Sequence, residues 1–128
     1  IQFPPRDVAI ENNIVVGAAV QIRADLDSIS GLSGSHNVYF NASRPLEFIL
    51  TDAGQDWKYS LANFQYEQGS FNRDPGLANP DAGDFSLTTN SFAKDKGLPL
   101  DGGCDCDSVG TPRCDGQPDV GAYELDLP

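Results

Sequence analysis

The chain has 128 residues, with nineteen acidic against eight basic side chains and a formal net charge of -11. That balance argues against a nucleic-acid partner, whose phosphates are held by clustered Lys and Arg. Hydrophobic residues at 39% and charged residues at 21% suit one folded, loop-rich domain rather than a disordered chain, and no run reaches the roughly 18 apolar residues of a membrane span.

Methionine is absent and the chain opens IQFPPRD, so it is expected to be an excerpt whose export signal lies upstream. The first informative pattern is a repeat. NNIVV (12–16) and HNVYF (36–40) each set an Asn before β-prone residues, and Asn13 and Asn37 are 24 positions apart. A second short strand follows each, VQI (20–22) and LEFIL (46–50), with Val20 and Leu46 26 apart. Two strands recurring at nearly one period imply stacked coils, in which corresponding strands lie one above another in parallel sheets. Residues 1–56 are therefore expected to form the coils of an all-β solenoid. Val8, Ile10, Ile14 and Val16 supply apolar side chains near the first corner, and Asn12-Asn13 suits the bend, because Asn tolerates left-handed backbone.

Asn37 is expected to belong to a structural asparagine ladder, and His36 to be a polar turn residue, since a lone base would need a partner. The best polar candidates for catalysis are Arg23, Asp25, Asp27 and His36, within RADLDSISGLSGSH. That stretch is Gly/Ser-rich, and a solvated turn accounts for it as well. The spacing of Asp25 and Asp27 does not establish the carboxylate pair of a glycosidase.

The remainder, 57–128, is expected to be a capping segment of the same domain. Ser60 has the chemistry of a helix N-cap, Leu61 and Phe64 share a face, and Gly69 is a stop signal, which predicts a short capping helix. Asp74-Pro75 and Asn79-Pro80 predict turns, and GDFSLT (83–88) predicts a half-buried strand with Phe85 and Leu87 on one face.

An irregular tail follows, with three cysteines in DGGCDCDSVGTPRC. Cys104 and Cys106 stand too far apart on an extended chain to pair easily, so a Cys106–Cys114 disulfide is favoured, leaving Cys104 free or intermolecular. Zinc competes, but it lacks a fourth ligand nearby. Asp101, Asp105 and Asp107 crowd the same loop and make a candidate calcium site, against the reading of an acidic turn without metal. The spacing is not that of an EF-hand, because Val109 and Gly116 fall at ligand positions. No cofactor is required by any motif.

Taken in order, SLANFQYEQG (60–69), DPGLANPDAGDFSL (74–87), NSFAKDKG (90–97) and GTPRCDGQPDVGAYE (110–124) resemble the C-terminal end of secreted bacterial right-handed parallel β-helix proteins of the pectate-lyase-like superfamily. The likeness is close over about the last seventy residues and loose before them. Where the family carries a proline after Ser91, this chain has Phe92, and a looser turn is expected there. The resemblance implies a right-handed parallel β-helix at the cell surface or outside the cell. NAS (41–43) has the form of a glycosylation sequon, which a bacterial source would make irrelevant.

Such β-helices serve as polysaccharide lyases, glycoside hydrolases and adhesins, but fold alone does not give activity. The reading favoured here is a noncatalytic capping portion that contacts carbohydrate. The alternative is a fragment of a polysaccharide lyase or glycoside hydrolase acting on an extended glycan. The expected partners are upstream coils or a second copy, drawn to the open end of the stack.

Overall fold

The computed structural model describes residues 6–99, 106–113 and 117–125. Over these residues the chain is all-β, and its only helical pieces are three-residue 3₁₀ turns at Leu26–Ser28, Leu61–Asn63 and Pro80–Ala82. No helix among the described residues is long and apolar enough to cross a membrane.

Among the described residues there are ten short strands: β1 (Ala9–Glu11), β2 (Ile14–Val16), β3 (Ile22–Asp25), β4 (Ser33–Ser35), β5 (Val38–Phe40), β6 (Phe48–Asp52), β7 (Gln55–Tyr59), β8 (Phe71–Asn72), β9 (Leu77–Asn79) and β10 (Asp84–Leu87). They form four sheets, ordered β1-β4, β2-β5-β8, β3-β6-β7 and β10-β9. β1 pairs with β4, β2 with β5, β5 with β8, and β3 with β6, all in parallel. The sequence spacing reappears in the register, with Ile14 opposite Val38 and Ile22 opposite Phe48.

The bends between β1 and β2 and between β4 and β5 use the same chemistry. Asn12 and His36 both take left-handed backbone, at φ 59° and 53°. The polar side chain after each turns inward, and Asn37 Oδ1 accepts from the backbone N–H of Asn13 at 2.9 Å and from Asn13 Nδ2 at 3.1 Å. Gly69-Ser70 makes a third such corner that the Asn pattern did not reveal. Its Gly69 carbonyl accepts from His36 N–H and its Ser70 hydroxyl accepts from Asn37 N–H.

Alternation along the strands then divides the apolar side chains between two cores. Val15 and Tyr39 face one side, where Tyr39, Phe48, Leu50, Ile29, Leu46 and Phe64 are buried together. Phe48 stacks on Phe64 at 4.9 Å and meets the edge of Tyr39 at 5.2 Å, contacts worth about 0.5–1.5 kcal/mol each beyond area burial. Ile14, Val38 and Phe71 face the other side, against Leu77, Leu87, Phe92, Ala93, Val120 and Leu125. The C-terminal segment thus covers the outer face of the β2-β5-β8 sheet.

The expected capping helix does not form. The residues just before it extend as β7, antiparallel to β6 through the Ala53-Gly54 turn, where both residues have positive φ (48° and 80°). Such a turn matches the twist of a hairpin. Gln55–Tyr59 carries Trp57 and Tyr59 at alternate positions, a β-prone pattern. Only Leu61–Asn63 winds, as a single 3₁₀ turn, and Ser60 makes no side-chain cap hydrogen bond. Leu61 and Phe64 nevertheless reach one core, since residues three apart are eclipsed in a 3₁₀ turn.

The proline turns form as expected. Asp74 Oδ1 accepts from Gly76 N–H, and Pro80 opens the 3₁₀ turn that Gly83 ends in left-handed geometry. In β10 the register shifts between Asp84 and Leu87, which breaks the alternation. Leu87 is buried while Phe85 stays 52% exposed. The turn expected to loosen at Phe92 is instead tied by the Ser91 hydroxyl, which donates to Pro75 C=O and accepts from Ala93 N–H. Phe92 itself packs edge-on to Phe71 at 5.1 Å, with the Arg73 guanidinium 4.7 Å from its ring centre.

Candidate functional site

The four candidate catalytic residues are not brought together. Arg23 and Asp25 lie on β3, Asp27 sits in the exposed 3₁₀ turn after it, and His36 occupies the bend before β5, in register with another sheet. The Arg23 guanidinium is held by both carboxylate oxygens of Asp56, at 2.9 and 3.0 Å. Thr51 Oγ1 donates to the same carboxylate at 2.8 Å. That hydroxyl first, and Arg23 second, hold the Asp56 carboxyl below the usual carboxylate range. His36 Nδ1 is 3.0 Å from Ser35 Oγ, a local contact within its own turn. Because the Arg23–Asp56 pair is exposed, Arg23→Ala is expected to lower the melting temperature by no more than about 3 °C, as read by circular dichroism.

Of the calcium candidates, Asp101 and Asp105 lie outside the described residues, as do Cys104 and Cys114, the partner expected for Cys106. Cys106 is exposed, in an isolated antiparallel bridge opposite Pro112. Asp107 is buried and serves the backbone. Its Oδ1 accepts from Val109 N–H at 2.9 Å and Thr111 N–H at 2.7 Å, and its Oδ2 accepts from Glu124 N–H at 2.8 Å. Among the described residues no group of three or more His, Cys, Asp or Glu is gathered as a metal ion would need.

The motif residues that follow form a continuous hydrogen-bonded strap. Arg113 donates to the carbonyls of Asp119 and Gly121 at 3.1 and 2.7 Å. The Asp119 carboxylate accepts from Asp95 N–H and Leu125 N–H, each at 2.7 Å. Gly121 N–H donates to Asn12 C=O, and the Asn12 side chain exchanges two hydrogen bonds with the Leu98 backbone. These residues tie the tail to the first strands.

A buried polar cluster escaped the sequence reading. The Glu67 carboxylate, 6% exposed, accepts from Tyr39 Oη at 2.6 Å, from Ser70 Oγ, and from Asn37 Nδ2 at 3.2 Å. Burial above all, and next the hydrogen bond to Glu67, push the Tyr39 hydroxyl far above its ordinary pKa. Enclosed and saturated with donors, this carboxylate is fitted to join β5 to the segment around Ser70 rather than to meet a substrate.

An open concavity lies elsewhere, as a groove of about 970 Å³ beside β2. Asn13 to Gly17 of and around β2 line it together with Leu77, Pro80, Asp81, Phe85 and Tyr123. Its walls are largely apolar, with few polar groups, as in many ligand sites. No individual residue type announced it, because it is made by the β9-β10 hairpin standing off the edge of a sheet strand. No family model, curated protein or solved structure matches this chain.

Proposed function

We propose that this chain is the noncatalytic end portion of a right-handed parallel β-helix in a secreted or surface protein of bacterial type, and that it contacts an extended glycan. The observation that carries the fold reading is the recurrence of parallel register at 24 and 26 residues, with Asn13 and Asn37 hydrogen-bonded at equivalent corners. Stacked coils account for both facts together. The ordered C-terminal motifs, resembling those of such proteins, support the same reading.

The noncatalytic reading is supported by the engagement of the polar candidates. A lyase base would have to shed its proton beside the substrate, whereas Arg23 is held by Asp56 and the Asp107 carboxylate is spent on backbone donors. The surface offered to a glycan is the outer face of the β3-β6-β7 sheet, where Arg23, Ile49 and Lys58 stand in one row and Asp25, Thr51 and Asp56 in the next. Ile49 is 1% exposed between the two long basic side chains, whose stems can cover it. A flat row of paired donors and acceptors suits hydroxyl-rich polymers. Calcium at the acidic turn near Asp107 is not needed for this role.

Titration with neutral and uronate oligosaccharides, followed by amide shifts and by ultraviolet absorbance, tests the reading. Shifts centred on Arg23, Thr51 and Lys58 without new absorbance are expected. Turnover of a uronate polymer that Arg23→Ala abolishes would establish the alternative, a polysaccharide-cleaving fragment.

A further inference from the structure

Of the eight basic side chains, Arg23, Lys58, Lys94 and Arg113 are held in ion pairs among the described residues. Two of the other four converge on one ring. The Arg73 guanidinium carbon stands 4.7 Å from the centre of Phe92, and the Lys96 ammonium 6.0 Å from it. The ring attracts both charges through its quadrupole but leaves the guanidinium N–H donors for some other acceptor. Among the described residues no carboxylate pairs with Arg73 or Lys96. The acids beside them in sequence are engaged elsewhere. Asp74 Oδ1 accepts from Gly76 N–H at 2.9 Å, and Asp95 Oδ2 faces Lys94 at 3.8 Å.

Both cations stand on anchored backbone. Arg73 N–H donates to Tyr39 C=O at 3.2 Å, which carries the ladder past β8, and Phe71 meets the Phe92 ring edge-on. Ser91 and Ala93, on either side of that ring, are buried, and Ala93 C=O accepts from Val120 N–H at 3.0 Å. Flanking Lys96, Asp95 N–H donates to Asp119 Oδ1 and Gly97 N–H to Pro118 C=O, each at 2.7 Å. Cations placed in advance lose little freedom when an anion arrives.

We propose that Arg73, Lys96 and Phe92 form a binding site for a small monocarboxylate. The Arg73 fork takes the two carboxylate oxygens, Lys96 adds attraction as a point charge, and Phe92 holds the guanidinium in place. The site lies beside the β2-β5-β8 sheet, apart from the β3-β6-β7 face, and does not depend on the glycan reading. Charge limits the ligand. Around the ring Arg73, Lys94 and Lys96 outnumber Asp74 and Asp95, whereas the whole chain carries -11. A polyanion is repelled by that wider field, and a single carboxylate on a neutral body meets only the local one.

The test titrates the full chain, labelled with ¹⁵N, with galacturonate and with butyrate, against galactose and butyramide as uncharged counterparts. Shifts at Arg73 Nε–H and at the Phe92 and Lys96 amides are expected with both acids and with neither neutral compound. Tighter binding of galacturonate identifies a sugar acid as the ligand, and equal binding a carboxylate read alone. Arg73→Lys keeps the charge but loses the fork and should weaken binding about fivefold. Phe92→Leu should weaken it about threefold, and Lys96→Gln about twofold at low salt and less at high salt. Arg44→Gln, which removes an exposed charge elsewhere, should leave binding unchanged. If a variant does not fold, titration of the native chain decides. Absence of shifts at Arg73 at tens of millimolar acid, equal shifts with the neutral compounds, or equal losses in Arg44→Gln and Arg73→Lys overturn the proposal. Asp101 and Asp105 follow Lys96 closely in sequence, and Asp101→Asn with Asp105→Asn should change the affinity less than about twofold. A gain of about tenfold in that double variant would mean that the chain's own acids take the cations, and would overturn the site.

Discussion

Gly34→Ala is expected to destabilise the fold by about 3 kcal/mol or more, although it adds a single methyl group. Such a change in an ordinary strand position would be mildly favourable, because alanine leaves the unfolded chain less entropy to lose. Here the added Cβ would stand 2.0 Å from Glu67 Oε1 and 2.3 Å from its Cδ. Glu67 cannot simply swing aside. Its carboxylate is fixed by Tyr39, Asn37 and Ser70, and moving it strands those buried donors at about 1–3 kcal/mol each. A fall in melting temperature of about 10 °C or more is the corresponding observable. A second background separates this cause from a general intolerance of β4. Glu67→Ala is itself costly, by about 2–4 kcal/mol, but it empties the space. On that background Gly34→Ala should cost less than about 1 kcal/mol, so that the double-mutant cycle returns a large coupling energy. An equal cost in both backgrounds would remove Glu67 from the explanation.

The same pair explains what the sequence could and could not reveal. Asn13 and Asn37 were legible as a repeat, since both corners place an asparagine directly after a left-handed residue, Asn12 in one and His36 in the other. The third corner was not, because Gly69-Ser70 performs the task with different side chains and stands 33 positions beyond His36-Asn37. Glu67 carried no signal at all within QYEQGS. Its burial is created by the missing side chain of Gly34, which lies beside it only when β4 is bridged to the segment before Gly69. Local pattern also overstated the helix after Ser60, where only Leu61–Asn63 winds, next to a strand paired with β6. The candidate catalytic residues are dispersed for a related reason. Arg23, Asp25, Asp27 and His36 were chosen by residue type from one loop-like stretch, yet only Arg23 and Asp25 share a face of β3, while the 3₁₀ turn carries Asp27 and a separate corner carries His36. The groove beside β2 depends on backbone edges, to which side-chain chemistry gives no direct clue.

Asp107→Asn should loosen the C-terminal strap in a manner that depends on acidity. Burial works to raise the Asp107 pKa, but the backbone N–H groups of Glu124, Thr111 and Val109 outweigh it and hold the carboxyl below its usual range. A group with a depressed folded pKa contributes stability that is fully present above its unfolded pKa, about 3.9, and is lost as pH falls through the folded value. In the asparagine variant one oxygen can still accept from Val109 and Thr111, but the amide nitrogen is set against Glu124 N–H, donor facing donor. A loss of about 2–3 kcal/mol is expected at pH 7. Asparagine does not titrate, so the gap between the two proteins should hold down to about pH 4 and narrow below it as Asp107 itself takes up a proton. Urea midpoints at pH 7, 4 and 2.5 measure that gap directly, and the other carboxylates, present in both proteins, cancel in the difference. A gap unchanged at pH 2.5 would mean that the negative charge of Asp107 contributes nothing to holding the strap, and that its role is one of shape alone.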